Sequence, residues 1–222
     1  MQRPLRILFT QPIVLTMAIW QAILFGTTYS LYTNFESIYG SKGYYGFSTT
    51  QVGLVYLGPG LGFFICVWFI VPKIDTIYNR LSKKHGGEAK PEYRLPLANI
   101  GAVLIPVSLF WFAWTVEYHV HWAVTVLSTV FFGLGQITIL NTAQNYYIDS
   151  FQKYAASAIA AGAVFRSIVG GIVPLFATQL FEQAGYGWGV STFAFTSLAL
   201  SPAPLLFYYY GERIREAFAI DL

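Results

Sequence analysis

The positions of thirteen lysine and arginine residues constrain this chain more than any other feature of its sequence. Twelve lie outside six long apolar stretches, and eleven of these twelve fall in alternate connections, whereas the other connections hold only Lys42. Because positive charge resists translocation across a bilayer, this pattern predicts six membrane crossings with both termini in the cytoplasm. The eleven residues are Arg3, Arg6, Lys73, Arg80, Lys83, Lys84, Lys90, Arg94, Lys153, Arg213 and Arg215.

Each apolar stretch is long enough for a helix that crosses the hydrocarbon core, which needs about 20 residues. Backbone groups in lipid must be satisfied within the segment, so each stretch is predicted to be a helix. We therefore predict an all-α membrane protein, a single six-helix transmembrane domain over residues 1–222 with a cytoplasmic loop at about 73–94. The predicted spans are 12–35, 50–72, 95–115, 121–147, 155–181 and 186–210.

The composition and motifs argue against several other classes of protein. Charged residues make up 10% of the chain, where soluble domains average about a quarter. The cations lie in connections rather than on one face, so no nucleic-acid partner is predicted. No nucleophile elbow, P-loop or dinucleotide fingerprint occurs, so we predict neither an enzyme nor a cofactor. His119 and His121 have only Glu117 nearby, which is too few ligands to predict a metal site.

The thirteenth cation, Arg166, lies inside the fifth apolar stretch. Facing lipid, it would cost roughly 2.5–3.5 kcal/mol, so it is expected to face the bundle interior or a water-filled cavity. The alternative is that it reaches back to the headgroups at the end marked by Lys153. It stands about eleven residues into the helix, roughly 16 Å from that end, which is far for such a reach.

Polar side chains recur at helical spacing in the first and fourth spans. Gln21, Thr28 and Tyr32 are predicted to share one face of the first span, where aromatic and polar groups would suit an amphipathic cation or an aromatic drug. The fourth span carries a row of amides, for which hydrogen bonding between helices and the lining of a substrate pathway are both open. These amides are Gln136, Asn141, Gln144 and Asn145.

Two acidic residues at the ends of spans are candidates for proton coupling or a gate. Glu36 follows the first span at the predicted external end, where it either binds a proton or cation or is a solvated terminus. Asp149 follows the fourth span at the predicted cytoplasmic end, where a gate and a structural clasp are equally consistent with the sequence. Glycines in the second and fifth spans predict close helix contact, with bending during a conformational cycle as a further possibility.

Several short segments, taken together in their order and spacing, resemble one family of transporters. They lie at residues 45–54, 91–96, 101–106 with Trp111, 131–135, 145–149 with 154–158, 166–170 and 174–176. In these segments the chain resembles the fungal drug:proton antiporter group of the major facilitator superfamily, the twelve-span multidrug and polyamine exporters. The resemblance runs from about residue 12 to residue 213.

The resemblance covers only the second half of that family, so the six spans look like spans seven to twelve. It implies one half of a major-facilitator fold, which would act with a missing N-terminal half or a second copy and would move small molecules and protons. Asp75 and Arg80 stand where the family carries a degenerate cytoplasmic loop motif. We expect a proton-coupled exporter of drugs or polyamines in the plasma membrane. The alternative is a truncated, non-transporting fragment with a structural or modulatory role.

Overall fold

A computed structural model describes residues 11–151 and 154–217, without the side chains of residues 215 and 216. Arg3, Arg6 and Lys153 therefore lie outside the described residues. The elements of the described part are all helices, as predicted. In chain order they are α1 (Pro12–Tyr39), α2 (Thr49–Val55), α3 (Leu57–Ile65), a π-helical turn (Cys66–Ile70), α4 (Val71–Lys84), a 3-10 helix (Pro91–Leu97), α5 (Ala98–Glu117), α6 (Trp122–Ser150), α7 (Ala155–Leu200) and α8 (Ala203–Ala217).

Five helical segments of the described residues are long and apolar enough to cross a membrane, and the last of them, Ala155–Ile214, contains 60 residues. It folds back on itself at Gly185, whose φ of 74° and ψ of 167° are not helical. The rings of Phe181 and Phe193 lie 6.1 Å apart, although twelve residues of straight helix would separate them by about 18 Å. The chain thus reverses direction here, and α7 consists of a first limb (155–184) and a second limb (186–200). The predicted spans 155–181 and 186–210 lie on either side of the reversal, and the all-α six-helix fold is confirmed.

The reversal depends on glycine and on a carboxylate from the neighbouring helix. A positive φ favours glycine, because an L side chain at this angle meets its own backbone. Oε2 of Glu117, the last residue of α5, accepts a hydrogen bond from the backbone N–H of Gly187 at 2.8 Å. The carboxylate also lies within about 3 Å of where a Cβ on Gly185 would stand. Glu117 therefore holds the turn against the end of α5.

A proline interrupts the regular hydrogen bonds near the end of the second span. Pro72 has no backbone N–H to donate, and its ring crowds the carbonyl one turn earlier. The preceding turn, Cys66–Ile70, widens into a π-helical turn in which the N–H of Val71 donates to the carbonyl of Cys66. Nearer the start of the span, Tyr56 separates α2 from α3.

The loop predicted at about 73–94 is mostly helical. α4 continues to Lys84, and the 3-10 helix begins at Pro91, so residues 85–90 are the stretch between them. The prediction ended the helix where the apolar residues end, at the membrane surface. A helix can continue beyond that surface if the polar residues that follow favour helix formation. Lysine and arginine are good helix formers, and Ile74 gives α4 a buried contact.

The bundle is held by close approaches between helices. α1 packs against α7, and α5 packs between α6 and α7. α3 crosses α6 at glycine: a Cβ on Gly62 would overlap the Val130 carbonyl oxygen, and one on Gly133 would overlap the Pro59 carbonyl oxygen. The predicted close contact of small residues is therefore present at this crossing.

Candidate functional site

A cleft of about 240 Å³ opens between α1, α3 and α6. Three of the predicted pathway residues, Thr28 and Tyr32 from α1 and Gln136 from α6, line it together. They face one another because Thr28 and Tyr32 are four residues apart on α1, so both point towards α6. The complete lining is Phe25, Thr28, Tyr29, Tyr32, Phe63, Gln136, Ile137 and Leu140.

The cleft is mainly aromatic and apolar, with few polar groups. The Thr28 hydroxyl is occupied, since it donates to the Leu24 carbonyl at 2.7 Å. Gln136 is 3% exposed, and its Oε1 has no hydrogen-bond partner among the described residues. Tyr56 packs against the lining residue Tyr32: its hydroxyl donates to the Tyr32 carbonyl at 2.8 Å, and the two rings meet edge to face. Such a site can stack a flat molecule and donate or accept one hydrogen bond.

Arg166 faces α1, as the interior alternative predicted. Its Nη1 donates to Oε1 of Gln21 at 3.1 Å, and its guanidinium lies 5.0 Å from the centre of the Phe25 ring. Phe25 also lines the cleft. Gln21 and Arg166, both predicted as pathway residues, are therefore brought together beside the cleft. Phe25 contacts the Arg166 guanidinium and also lines the cleft, so it connects the two sites.

The other polar neighbour of Arg166 is Tyr147 on α6. Tyr147 is 1% exposed, and its hydroxyl has no hydrogen-bond partner in the described part of the chain. It packs near Gly162, which is one turn before Arg166 on the same face of α7. Arg166, Gln21 and Tyr147 form what we call the arginine cluster.

Three predicted pathway residues of α6 do not line the cleft. The amide of Asn141 donates to the Ile137 carbonyl at 3.1 Å, and the amide of Asn145 donates to the Asn141 carbonyl at 2.9 Å. Both bonds stay within α6, and the described residues show no hydrogen bond from either amide to another helix, which was one alternative. Gln144 is half-buried. The three residues lie further along α6 towards its C-terminus than the cleft.

A second polar site, centred on Arg94, lies where the second, third and fourth spans meet. Nε of Arg94 donates to Oδ2 of Asp149 at 2.7 Å, and its Nη1 forms an ion pair with Asp75. The guanidinium also lies 4.0 Å from the centre of the Tyr78 ring. The side chains of Arg94 and Asp149 are 13% and 24% exposed, so water screens this pair less than it screens surface pairs. Asp75 is 73% exposed, so its pair with Arg94 is more strongly screened. We call Arg94, Asp75 and Asp149 the Arg94 clasp.

The remaining predicted residues lie apart from both sites. Glu36 is exposed, after the cleft on α1. Arg80 is exposed on α4 and forms no ion pair among the described residues. It therefore does not join Asp75 in the Arg94 clasp.

A second tie at the same end of the bundle links residues 85–90 to α8. Nζ of Lys90 donates to Oε2 of Glu212 at 2.8 Å. This hydrogen bond raises the pKa of the Lys90 ammonium above its ordinary value. The hydrogen bond therefore favours the charged form of Lys90.

Arg94 and Phe63 are two of the site residues that sequence reasoning missed, and Tyr56, which packs against the cleft, is another residue it did not single out. Also missed were Phe25, Tyr29, Ile137 and Leu140 of the cleft and Tyr147 of the arginine cluster. Arg94 was counted among the loop cations, although it lies in the short segment at 91–96 that carries the family resemblance. Its partners are 19 and 55 residues away in the sequence, so local spacing contains no sign of the pairing. Phe63 and Tyr56 are two aromatics among many in an apolar span, and only the crossing of α3 with α6 separates them from the others.

Comparison with known proteins identifies a family and several relatives. The family model described as Major Facilitator Superfamily matches residues 2–174. The MFS-type transporter penM of Penicillium rubens is 40% identical over 213 residues, which are 96% of this chain and 41% of penM. The efflux pump vrtL of Penicillium aethiopicum is 40% identical over 215 residues, 96% of this chain and 42% of vrtL. The efflux pump radE of Floropilus chiversii is 42% identical over 215 residues, 96% of this chain and 39% of radE.

The chain thus spans about two fifths of the length of these relatives. No solved structure matches it at a significant level.

Proposed function

The chain belongs to the major facilitator superfamily, and on that premise we propose that it forms one wall of the substrate pathway in an exporter of small amphipathic molecules. It is an integral membrane protein with six membrane-crossing limbs. The observation that supports this function is the cleft in which α1, α3 and α6 bring Thr28, Tyr32 and Gln136 together. An aromatic surface with a few fixed polar groups is the usual form of a site for small organic molecules.

The pathway is completed, in our proposal, by a second six-span body. Transporters of this architecture bind substrate near the midplane between two halves that rock against each other. The second body is either an N-terminal half or a second copy of this chain. The six limbs correspond, by resemblance, to spans seven to twelve of a fungal drug:proton antiporter. We place the protein in the plasma membrane, with the Arg94 clasp at the cytoplasmic side because that side holds most of the cations.

We assign the Arg94 clasp the role of a gate at the cytoplasmic side. Arg94 joins the ends of α4 and α6 through the 3-10 helix, so breaking either ion pair would free these ends to separate. Asp149 is the acid whose protonation would remove one of the two pairs, since a neutral carboxyl attracts the guanidinium less. Asp149 is therefore our first candidate for proton coupling, and the exposed Glu36 is the second.

Export is tested by efflux from yeast cells that lack their own drug exporters. The full chain is expressed alone and together with the first six spans of a relative such as penM, and the loss of preloaded Nile red is followed by fluorescence. We expect faster loss when both bodies are present. A chain that moves nothing in either form, although both bodies reach the membrane, would leave the non-transporting fragment as the better description.

The cleft is tested in the same cells by one substitution and one control. Gln136→Leu removes the amide whose Oε1 has no hydrogen-bond partner among the described residues and replaces it with an apolar group, so efflux should fall severalfold at unchanged expression. Thr196→Val is the matched control, because Thr196 is exposed and its hydroxyl bonds only within its own helix. Equal efflux from the two variants would count against the cleft as the substrate site.

A further inference from the structure

We infer that the arginine cluster binds the anionic head of an amphipathic organic acid whose aromatic body lies in the adjoining cleft. This inference rests on the proposed function and adds a substrate class to it. It also departs from the cationic substrates that the family resemblance implies.

The charge of Arg166 has no counter-ion within the described residues. Arg166 is the one charged residue in the six predicted spans. Its partners are the neutral amide of Gln21 and the ring of Phe25, and the nearby Tyr147 is a phenol. Arg94 provides the contrast, because two carboxylates pair with it. A charge held inside a membrane protein is normally paired, so the half-buried Arg166 leaves a position open for an anion.

Unused donors surround the guanidinium. Arginine has five N–H donors in a planar fork that fits a carboxylate with two parallel bonds. One of these donors is occupied by Gln21. Nε2 of Gln21 and the hydroxyl of Tyr147 are buried, and both lack a partner in the described residues. A buried donor without an acceptor is costly. A carboxylate beside Arg166 would supply two acceptor oxygens, and because it has no donor of its own it would add no new unpaired donor.

The distance between the cluster and the cleft sets the shape of the ligand. Phe25 belongs to both, since its ring faces the guanidinium and also lines the cleft. Gln21 and Thr28 are separated by seven residues of α1, which is about 10 Å along the helix. A molecule with its acid group about 10 Å from the centre of an aromatic body therefore spans both sites. A cation of the same shape would bring its charge next to Arg166 and be repelled.

The inference is tested by binding three fluorescent probes that differ in one group. N-dansyl-4-aminobutyrate, whose carboxylate reaches roughly 10 Å from the naphthalene centre, is an anion at pH 7.5; its primary amide is neutral, and N-dansyl-1,4-diaminobutane is a cation of similar length. The full-length chain is purified in a neutral detergent, and energy transfer from its tryptophans to the dansyl group gives each Kd. We expect the acid to bind about tenfold more tightly than the amide, as one charge-assisted hydrogen bond predicts, and the cation to bind most weakly.

Two substitutions identify the cluster as the source of this preference. Arg166→Gln removes the charge, and Gln21→Glu places a carboxylate against it. With either substitution the acid should bind about as tightly as the amide, so that the ratio of the two Kd values is about one. The Kd of the amide should change less than twofold. Arg166→Lys should keep part of the preference. Lys83→Gln is the matched control, because it removes an equal charge from an exposed position and should leave every Kd unchanged.

The possible results separate the inference from the proposed function. If the acid binds the unaltered chain no better than the amide, or if the preference survives in Gln21→Glu, the arginine cluster is not an anion site. In that case the cleft stands as long as the amide binds. Failure of all three probes to bind the unaltered chain would overturn both the anion site and the cleft. The comparison of acid and amide binding to the unaltered chain needs no substitution. It therefore decides the inference even if a variant fails to fold.

Discussion

Replacing Gly62 by alanine should weaken the crossing of α3 and α6. A Cβ at this position would stand 2.8 Å from the backbone nitrogen of Leu134 and closer still to the Val130 carbonyl oxygen. Both are backbone atoms, so the two helices must move apart rather than a side chain turn away. Overpacking of this kind costs about 1–3 kcal/mol. For a chain of this size, that corresponds to a fall of roughly 2–10 °C in Tm.

Gly60→Ala is the matched control. Gly60 lies two residues before Gly62 on α3, and a Cβ there would meet nothing within 4 Å. Alanine is the better helix former by about 1 kcal/mol, so Gly60→Ala should leave the Tm unchanged or raise it. The two variants have the same composition, and only the direction of the added methyl group differs.

The unfolding of this crossing can be followed at Cys66, the single cysteine of the chain. Cys66 is fully buried, and its Sγ lies 3.2 Å from the Thr138 hydroxyl of α6. A thiol-reactive coumarin maleimide therefore labels it only after α3 and α6 separate. A labelling midpoint for Gly62→Ala at or above that of Gly60→Ala would refute the reasoning.

Two further substitutions test the clasp and the reversal. Arg94→Gln should lower the Tm by several degrees, since it leaves the half-buried Asp149 without its partner. The same labelling assay measures this change, and Arg80→Gln should have no effect because Arg80 is exposed and unpaired among the described residues. Gly185→Ala should cost about 1–2 kcal/mol because its φ is positive, whereas Gly171→Ala, with open space around it, should cost nothing. A Gly185→Ala chain as stable as the Gly171→Ala chain would mean that the turn can re-form without the left-handed angle.

The helices and the residues facing the cleft could be predicted because their causes are local. A run of about 20 apolar residues in lipid must be helical, and four-residue spacing put Thr28 and Tyr32 on one face. The same reasoning could not place Asn141 and Asn145, since an asparagine amide can bond to the carbonyl one turn earlier or to another helix. Sequence alone does not distinguish these two choices, and in this chain the local bond forms.

The clasp could not be predicted because its cause is not local. Arg94, Asp75 and Asp149 come from three parts of the chain, and their meeting depends on how α4 extends beyond the membrane. The predicted loop at about 73–94 contains Asp75, whereas in the structure Asp75 lies on α4. An error in the length of one helix therefore concealed the partner of an ion pair.

The reversal at Gly185 also determines how the two limbs of α7 can move. They are joined at a single non-helical residue, and the Glu117 carboxylate holds the turn from outside. Because the joint is one residue long, the turn at Gly185 and the Glu117 carboxylate together fix the spacing between the ends of the two limbs. We expect a displacement of one limb at this turn to move the end of the other limb and the end of α5 with it.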